Sequence, residues 1–157
     1  MPDRTTTPET CLVCQKHRGE KPVPGGVIYE DELVYVSHSF IPEGKEKVYL
    51  GTLFVEPKRH AAAFEDLTDE EAQAVGLWVT RTARALKAAT NAEHIYLFRF
   101  GHHVNHLHVW LVPRYAGTPE EFWGLKADEW PGAPHGGEAE IAELCDQIRS
   151  ALKVEVE

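Results

Sequence analysis

Short apolar bursts, broken by charged turns, occupy the stretch from Val27 to Pro57. VIYEDELVYVSHS reads as two short strands about a turn at residues 30–32. After the charged loop IPEGKEK, the β-branched and aromatic run VYLGTLFVEP reads as one longer strand closed by Pro57. The period then changes. Thr68-Asp69-Glu70-Glu71 has the spacing of a capping box, in which the Thr68 hydroxyl and the Glu71 carboxylate each satisfy an orphan amide. Beyond it Ala72, Val75, Val79, Thr82 and Leu86 recur at helical intervals, with Trp78 on the flank, and predict a helix to about residue 89. HIYLFRFG and NHLHVWLVPR read as two more strands, the second stopping at a proline. Residues 115–136 form a long Gly/Pro-rich loop, and a last helix is predicted over 138–153 with Ile141, Leu144, Ile148 and Leu152 on one stripe.

The order strands, helix, strands, helix predicts an α+β domain: an antiparallel sheet of about five strands with helices packed on one face. Residues 1–10 are rich in Thr and Pro and are expected to be disordered, leaving 11–157 as a single domain without internal repeats. With 43% hydrophobic and 26% charged residues, the composition is that of an ordinary globular chain. No apolar run approaches a membrane span and MPDRTTTPET has no apolar signal core, so a cytoplasmic protein is expected. The net charge of −9 argues against a broad nucleic-acid face, while a pocket still makes its own field for a small anionic ligand.

Candidate chemistry concentrates in two motifs. In NHLHVWLVPR, strand alternation puts His106, His108 and Trp110 on one side and Leu107, Val109 and Leu111 on the other. Three readings are open: a polar outer face, a catalytic metal held by both histidines, or one histidine acting as nucleophile or general base. The second motif is Cys11-Leu-Val-Cys14. A thioredoxin-like redox pair would sit at a strand-to-helix junction inside a βαβ unit. Cys11 precedes every predicted strand, which favours two thiolates on zinc with two further ligands to be found. Cys145 falls in the last helical pattern and reads as a small buried apolar residue.

Taken together, these residues resemble the histidine triad (HIT) superfamily. His106-Leu-His108-Val-Trp110-Leu-Val with Pro113-Arg114-Tyr115 is similar to its His-φ-His-φ-His-φ-φ signature and tail. Gly51 to His60 resembles the family strand ending in Pro-Lys-x-His, and CLVC stands where zinc-bearing members carry Cys-x-x-Cys. The resemblance implies a structural zinc on Cys11, Cys14, His60 and His106, with His17 as the substitute ligand. It implies His108 as the nucleophile on the α-phosphate of a nucleotide, through a nucleotidyl-histidine that water or another acceptor resolves. It also implies a homodimer.

The chain departs from the family pattern in places. Trp110 occupies the third triad position, where the family ring donates to phosphate; indole Nε1–H donates too, but tryptophan neither accepts nor titrates. Gly101-His102-His103-Val104 replaces the usual polar pair, making His102 a candidate for phosphate contact and His103 for leaving-group protonation, against a solvent-facing loop. Arg99 either clamps a phosphate or rests on the sheet, and Ser39 stands where the family clamps ribose. Phe122, Trp123 and Trp130 either cover a ligand or, preferably, pin the long loop to the body. The sequence thus predicts a zinc-bearing nucleotide hydrolase or nucleotidyl transferase, against a zinc-stabilised nucleotide-binding protein whose chemistry Trp110 has blunted.

Overall fold

The computed structural model describes residues 6–156. A short helix α1 (Leu12–His17) leads into strands β1 (Tyr29–Glu30), β2 (Val34–His38), β3 (Val48–Tyr49) and β4 (Leu53–Pro57). Helix α2 (Asp69–Thr90), strands β5 (His94–Phe98) and β6 (Val109–Arg114), strand β7 (His135–Gly136) and helix α3 (Glu138–Val156) follow. Five strands form one antiparallel sheet, as the sequence predicts; their order is β1-β2-β4-β6-β5, and β3 and β7 pair separately. No helix among the described residues is long and apolar enough to cross a membrane.

One face of the sheet carries Val34, Val36, Leu53, Val55 and Leu111, all fully buried, beneath Val75, Trp78 and Leu86 of α2. Helix α3 closes this core with Ile141, Leu144, Cys145, Ile148 and Leu152. Cys145 is buried as expected, and burial pushes its thiol up to about 11. The capping box forms as read: the Glu71 amide donates to Thr68 Oγ1 and the Thr68 amide to the Glu71 carboxylate. The buried stripe of α2 is rotated from the predicted one, however. Ala72 is exposed and Trp78 is buried, because Trp78 stacks on Tyr29 with ring centroids 3.5 Å apart.

Three other expectations need correction. VYLGTLFVEP is two strands, since Gly51 at φ +91° turns the chain between β3 and β4. A Cβ there would meet Pro113 Cγ at 2.8 Å, so the turn requires glycine. Strand β6 starts at Val109, leaving His106 and His108 on the segment that leads into it. It also continues through Pro113, because pairing with β4 ends at Leu111 and the proline's missing N–H costs no ladder bond on that side. CLVC opens α1 with Cys11 as its N-cap. Of the segment expected to be disordered, residues 1–5 lie outside the described residues, and the Thr10 and Cys11 amides both donate to the Thr7 carbonyl.

Candidate functional site

Cys11 and Cys14 stand three apart on the first turn of α1, so both thiols face the same way. His60, three residues past the end of β4, and His106, before β6, close on them from the sheet. The four ligand atoms lie within 4.8 Å of one another. Cys14 Sγ is 3.4 Å from His60 Nδ1 and 3.5 Å from His106 Nδ1, and Cys11 Sγ is 3.6 Å from His106 Nδ1. A tetrahedral zinc with Zn–S of about 2.3 Å and Zn–N of about 2.05 Å has S···N edges of about 3.5 Å. The donor set therefore fits zinc both in chemistry and in spacing.

The surroundings suit the same ion. His106 Nε2–H donates to the Pro57 carbonyl at 2.7 Å, which fixes the tautomer and leaves Nδ1 as the ligand atom. Burial pushes His106 down to about 4, so its ring is neutral. Burial first, then the neighbouring Cys11, pushes the Cys14 thiol up to about 12, so a bound cation would have to displace that proton.

His17 is not in this cluster. Its Nε2–H donates at 2.8 Å to the Glu56 carboxylate, whose other oxygen takes Lys16 Nζ at 2.7 Å. Glu56, Lys16 and His17 are all nearly inaccessible to solvent. Burial alone would raise the Glu56 carboxyl, but the Lys16 charge and the His17 hydrogen bond bring it to about 2. Lys16 Nζ also bonds Ser37 Oγ at 3.3 Å and lies 5.4 to 5.7 Å from the Tyr35, Phe40 and Phe54 rings. This buried triad joins the cysteine helix to β4. Sequence reasoning missed it, although a glutamate inside the apolar run LFVEP was the available signal.

His108 faces elsewhere. Its Nδ1–H donates to the His106 carbonyl at 2.7 Å, so Nε2 keeps its lone pair. The ring lies edge-on to Phe54 at 5.7 Å and beside Trp110 at 6.0 Å. The metal cluster includes His106 and not His108, so the two histidines have separate surroundings. Phe54 and Trp110 are cross-strand partners, as are Trp110 and Phe98, and the three rings form an aromatic floor across β4, β6 and β5.

That floor underlies a cavity of about 530 Å³, lined also by Ser39, Thr52, Val112 and, from the long loop, Leu125 and Asp128. Trp110 contributes its ring, but its Nε1–H is buried and without a hydrogen-bond partner among the described residues. Ser39 therefore reaches the cavity. Arg99, His102 and His103 do not line it; they line a separate hollow with Glu65, Asp66 and Asn105. Arg99 there donates to the Ala62 carbonyl at 2.8 Å. The loop is pinned as preferred: Trp123 Nε1–H donates to the Thr118 carbonyl at 2.9 Å, and the Arg114 guanidinium lies 3.8 Å over its ring.

Comparison with known proteins bears on the fold and the family. An uncharacterized HIT-like protein of Methanocaldococcus jannaschii is 32% identical over 118 residues, 70% of this chain and 83% of that protein. A Zn-bound histidine triad family protein from Mycobacterium smegmatis shares the fold at a TM-score of 0.70 and 22% identity, over 96% of this chain and 98% of that one. A hypothetical histidine triad nucleotide-binding protein from Sulfolobus tokodaii does so at 0.69 and 24%, over 92% and 93%. Residues 20–117 match the HIT domain. The chain belongs to the HIT family.

Proposed function

We propose that this protein is a nucleotide hydrolase or nucleotidyl transferase that works through a covalent intermediate on His108. The observation that carries this reading is the hydrogen bond from His108 Nδ1–H to the His106 carbonyl, with the ring against Phe54 and Trp110 of the cavity floor although His108 itself does not line the cavity. A neutral imidazole with one nitrogen committed to backbone presents the other as a nucleophile at pH 7. Nε2 attacks the α-phosphorus of a nucleoside polyphosphate or phosphoramidate, the bond to the leaving group breaks, and an N–P bond forms. Water or a second acceptor then displaces the histidine and restores its lone pair.

Zinc on Cys11, Cys14, His60 and His106 has a structural part in this scheme. It supplies a crosslink between α1 and the sheet beside the nucleophile, and takes no part in the reaction. The His106 carbonyl that orients His108 belongs to one of these ligands, so a rigid His106 keeps the attack geometry. Ser39 lines the cavity and is assigned to the sugar. His102, His103 and Arg99, in the separate hollow, are assigned to the leaving group and its phosphates, His103 as proton donor. The expected assembly is a homodimer, and the location cytoplasmic.

A panel of dinucleoside polyphosphates, nucleoside phosphoramidates and nucleotide sugars tests the reading. Turnover of at least one of them by the wild type, falling at least about 10³-fold in His108→Ala, is expected. A nucleotide-binding protein without turnover is the competing reading, and the buried Trp110 nitrogen is what favours it. Binding with neither turnover nor adduct across the whole panel would establish that alternative.

A further inference from the structure

Residues 118–136 lie beyond the matched HIT span of 20–117, yet they supply Gly124, Leu125, Ala127, Asp128 and His135 to the cavity wall. This wall is a built part of the fold. Ala127 and Ala133 are buried with Tyr49 and Val112, and β7 pairs with β3. The loop between β2 and β3 completes the enclosure with Lys45 and Lys47.

The floor has a direction. Side chains two residues apart on an extended chain are roughly 6.6 Å apart, so Trp110 lies one step from His108 and Val112 two, roughly 13 Å. If the α-phosphate stands at His108, as the proposed function requires, the sugar falls over Trp110 and Phe54, with Ser39 one step further along, level with Thr52. The base then falls over Val112, against residues 124–128. At this end the charged lining is Asp128 and the two lysines; of the other polar groups, Tyr49 already donates to the Pro113 carbonyl and His135 Nδ1–H to the Ala133 carbonyl. Asp128 takes part in none of the ion pairs of the described residues. A carboxylate only accepts hydrogen bonds and an ammonium only donates them. Guanine presents both complements on one edge: adjacent N1–H and N2–H donors for the carboxylate, and the O6 acceptor for an ammonium. Adenine reverses them, with a lone pair at N1 and a donor at N6.

We propose that residues 118–136 form the base-selecting wall of the pocket and that Asp128, with Lys45 or Lys47 of the same lining, selects guanine nucleotides over adenine nucleotides. This rests on the His108 reading for the direction in which the nucleotide lies. Titration calorimetry with GMP, IMP and AMP tests it on the full chain. GMP is expected to bind roughly ten- to a hundredfold more tightly than AMP, the range of one good bidentate contact, with IMP between them for want of the 2-amino group. Asp128→Ala, with an unchanged melting temperature, is expected to bring GMP to the affinity of AMP and leave AMP as it was. Equal or tighter binding of AMP, or a guanine preference that survives in Asp128→Ala, would overturn the proposal. The two readings fail separately. Adduct on His108 with equal GMP and AMP affinities would overturn the base assignment alone, whereas guanine preference without any adduct would overturn the catalytic reading alone.

Discussion

Trp110 differs from a histidine in what it can exchange with a phosphate, and its surroundings favour its ring over its N–H. Its ring joins Phe54 and Phe98 in the cavity floor, while its N–H is buried without a partner among the described residues. An indole that donated to the transition state would be worth roughly 10²–10³ in rate. Trp110→Phe removes only the N–H and is expected to change adduct formation less than about tenfold. Since an unpaired buried donor costs about 1–3 kcal/mol, the variant should also melt no lower than wild type. A rate loss of 10² or more would instead show that the indole turns and donates. The substitution was legible in the sequence; the orientation of the nitrogen was not, because it depends on Phe54 and Phe100 packing edge-on against the ring from neighbouring segments.

Helix α2 was legible because its signals are local. Thr68 and Glu71 cap it reciprocally, and Glu71 also takes Arg59 Nε at 2.7 Å. Thr68→Ala is expected to cost about 1 kcal/mol in denaturant unfolding. The same box predicts a pH response. The Arg59 guanidinium first, then the Thr68 amide, hold the Glu71 carboxyl at about 2 against an ordinary 4.5. A depressed carboxylate stabilises the fold above its unfolded value, so its contribution is complete above about pH 5 and disappears as pH falls towards 2. Glu71→Gln should flatten the pH dependence of the melting temperature across that window; an identical slope in wild type and variant would remove Glu71 from the explanation. Strands β3 and β4 were read as one because their separation depends on the backbone of Gly51 and on a partner strand, β7, far along the chain. Gly51→Ala forces both a positive φ and a clash with Pro113, and is expected to cost roughly 1–3 kcal/mol.

At the scale of the whole molecule, the cysteine helix has little core of its own. Cys11, Val13 and Cys14 form a small buried cluster apart from the main one, and Glu56 ties α1 to the sheet. Metal is expected to complete that attachment, so a strong chelator should lower the melting temperature by several degrees and zinc should restore it. Activity lost to chelator with the melting temperature intact would point to a catalytic metal. The sequence exposed Cys11 and Cys14 as a candidate metal pair because of their spacing, while His60 and His106 were singled out among nine histidines only by the resemblance to zinc-bearing relatives. It hid the Lys16–Glu56–His17 triad and the cavity wall, whose members are ordinary charged and small residues brought together only by the fold. Strand β5 forms an edge of the sheet and carries Leu97, about half exposed, which is where the expected second copy would pair. Leu97→Arg should convert a dimer to a monomer in sedimentation; an unchanged dimer would place the interface elsewhere.

The central claim is that His108 becomes covalently attached to a nucleotide. Intact-mass spectrometry of protein quenched in acetone after mixing with a nucleoside phosphoramidate or dinucleoside polyphosphate measures this directly. The expected result is a mass increase of one nucleoside monophosphate, mapped by peptide fragmentation to His108 and absent from His108→Ala. Turnover with no such adduct, or an adduct that persists in His108→Ala, would contradict the account.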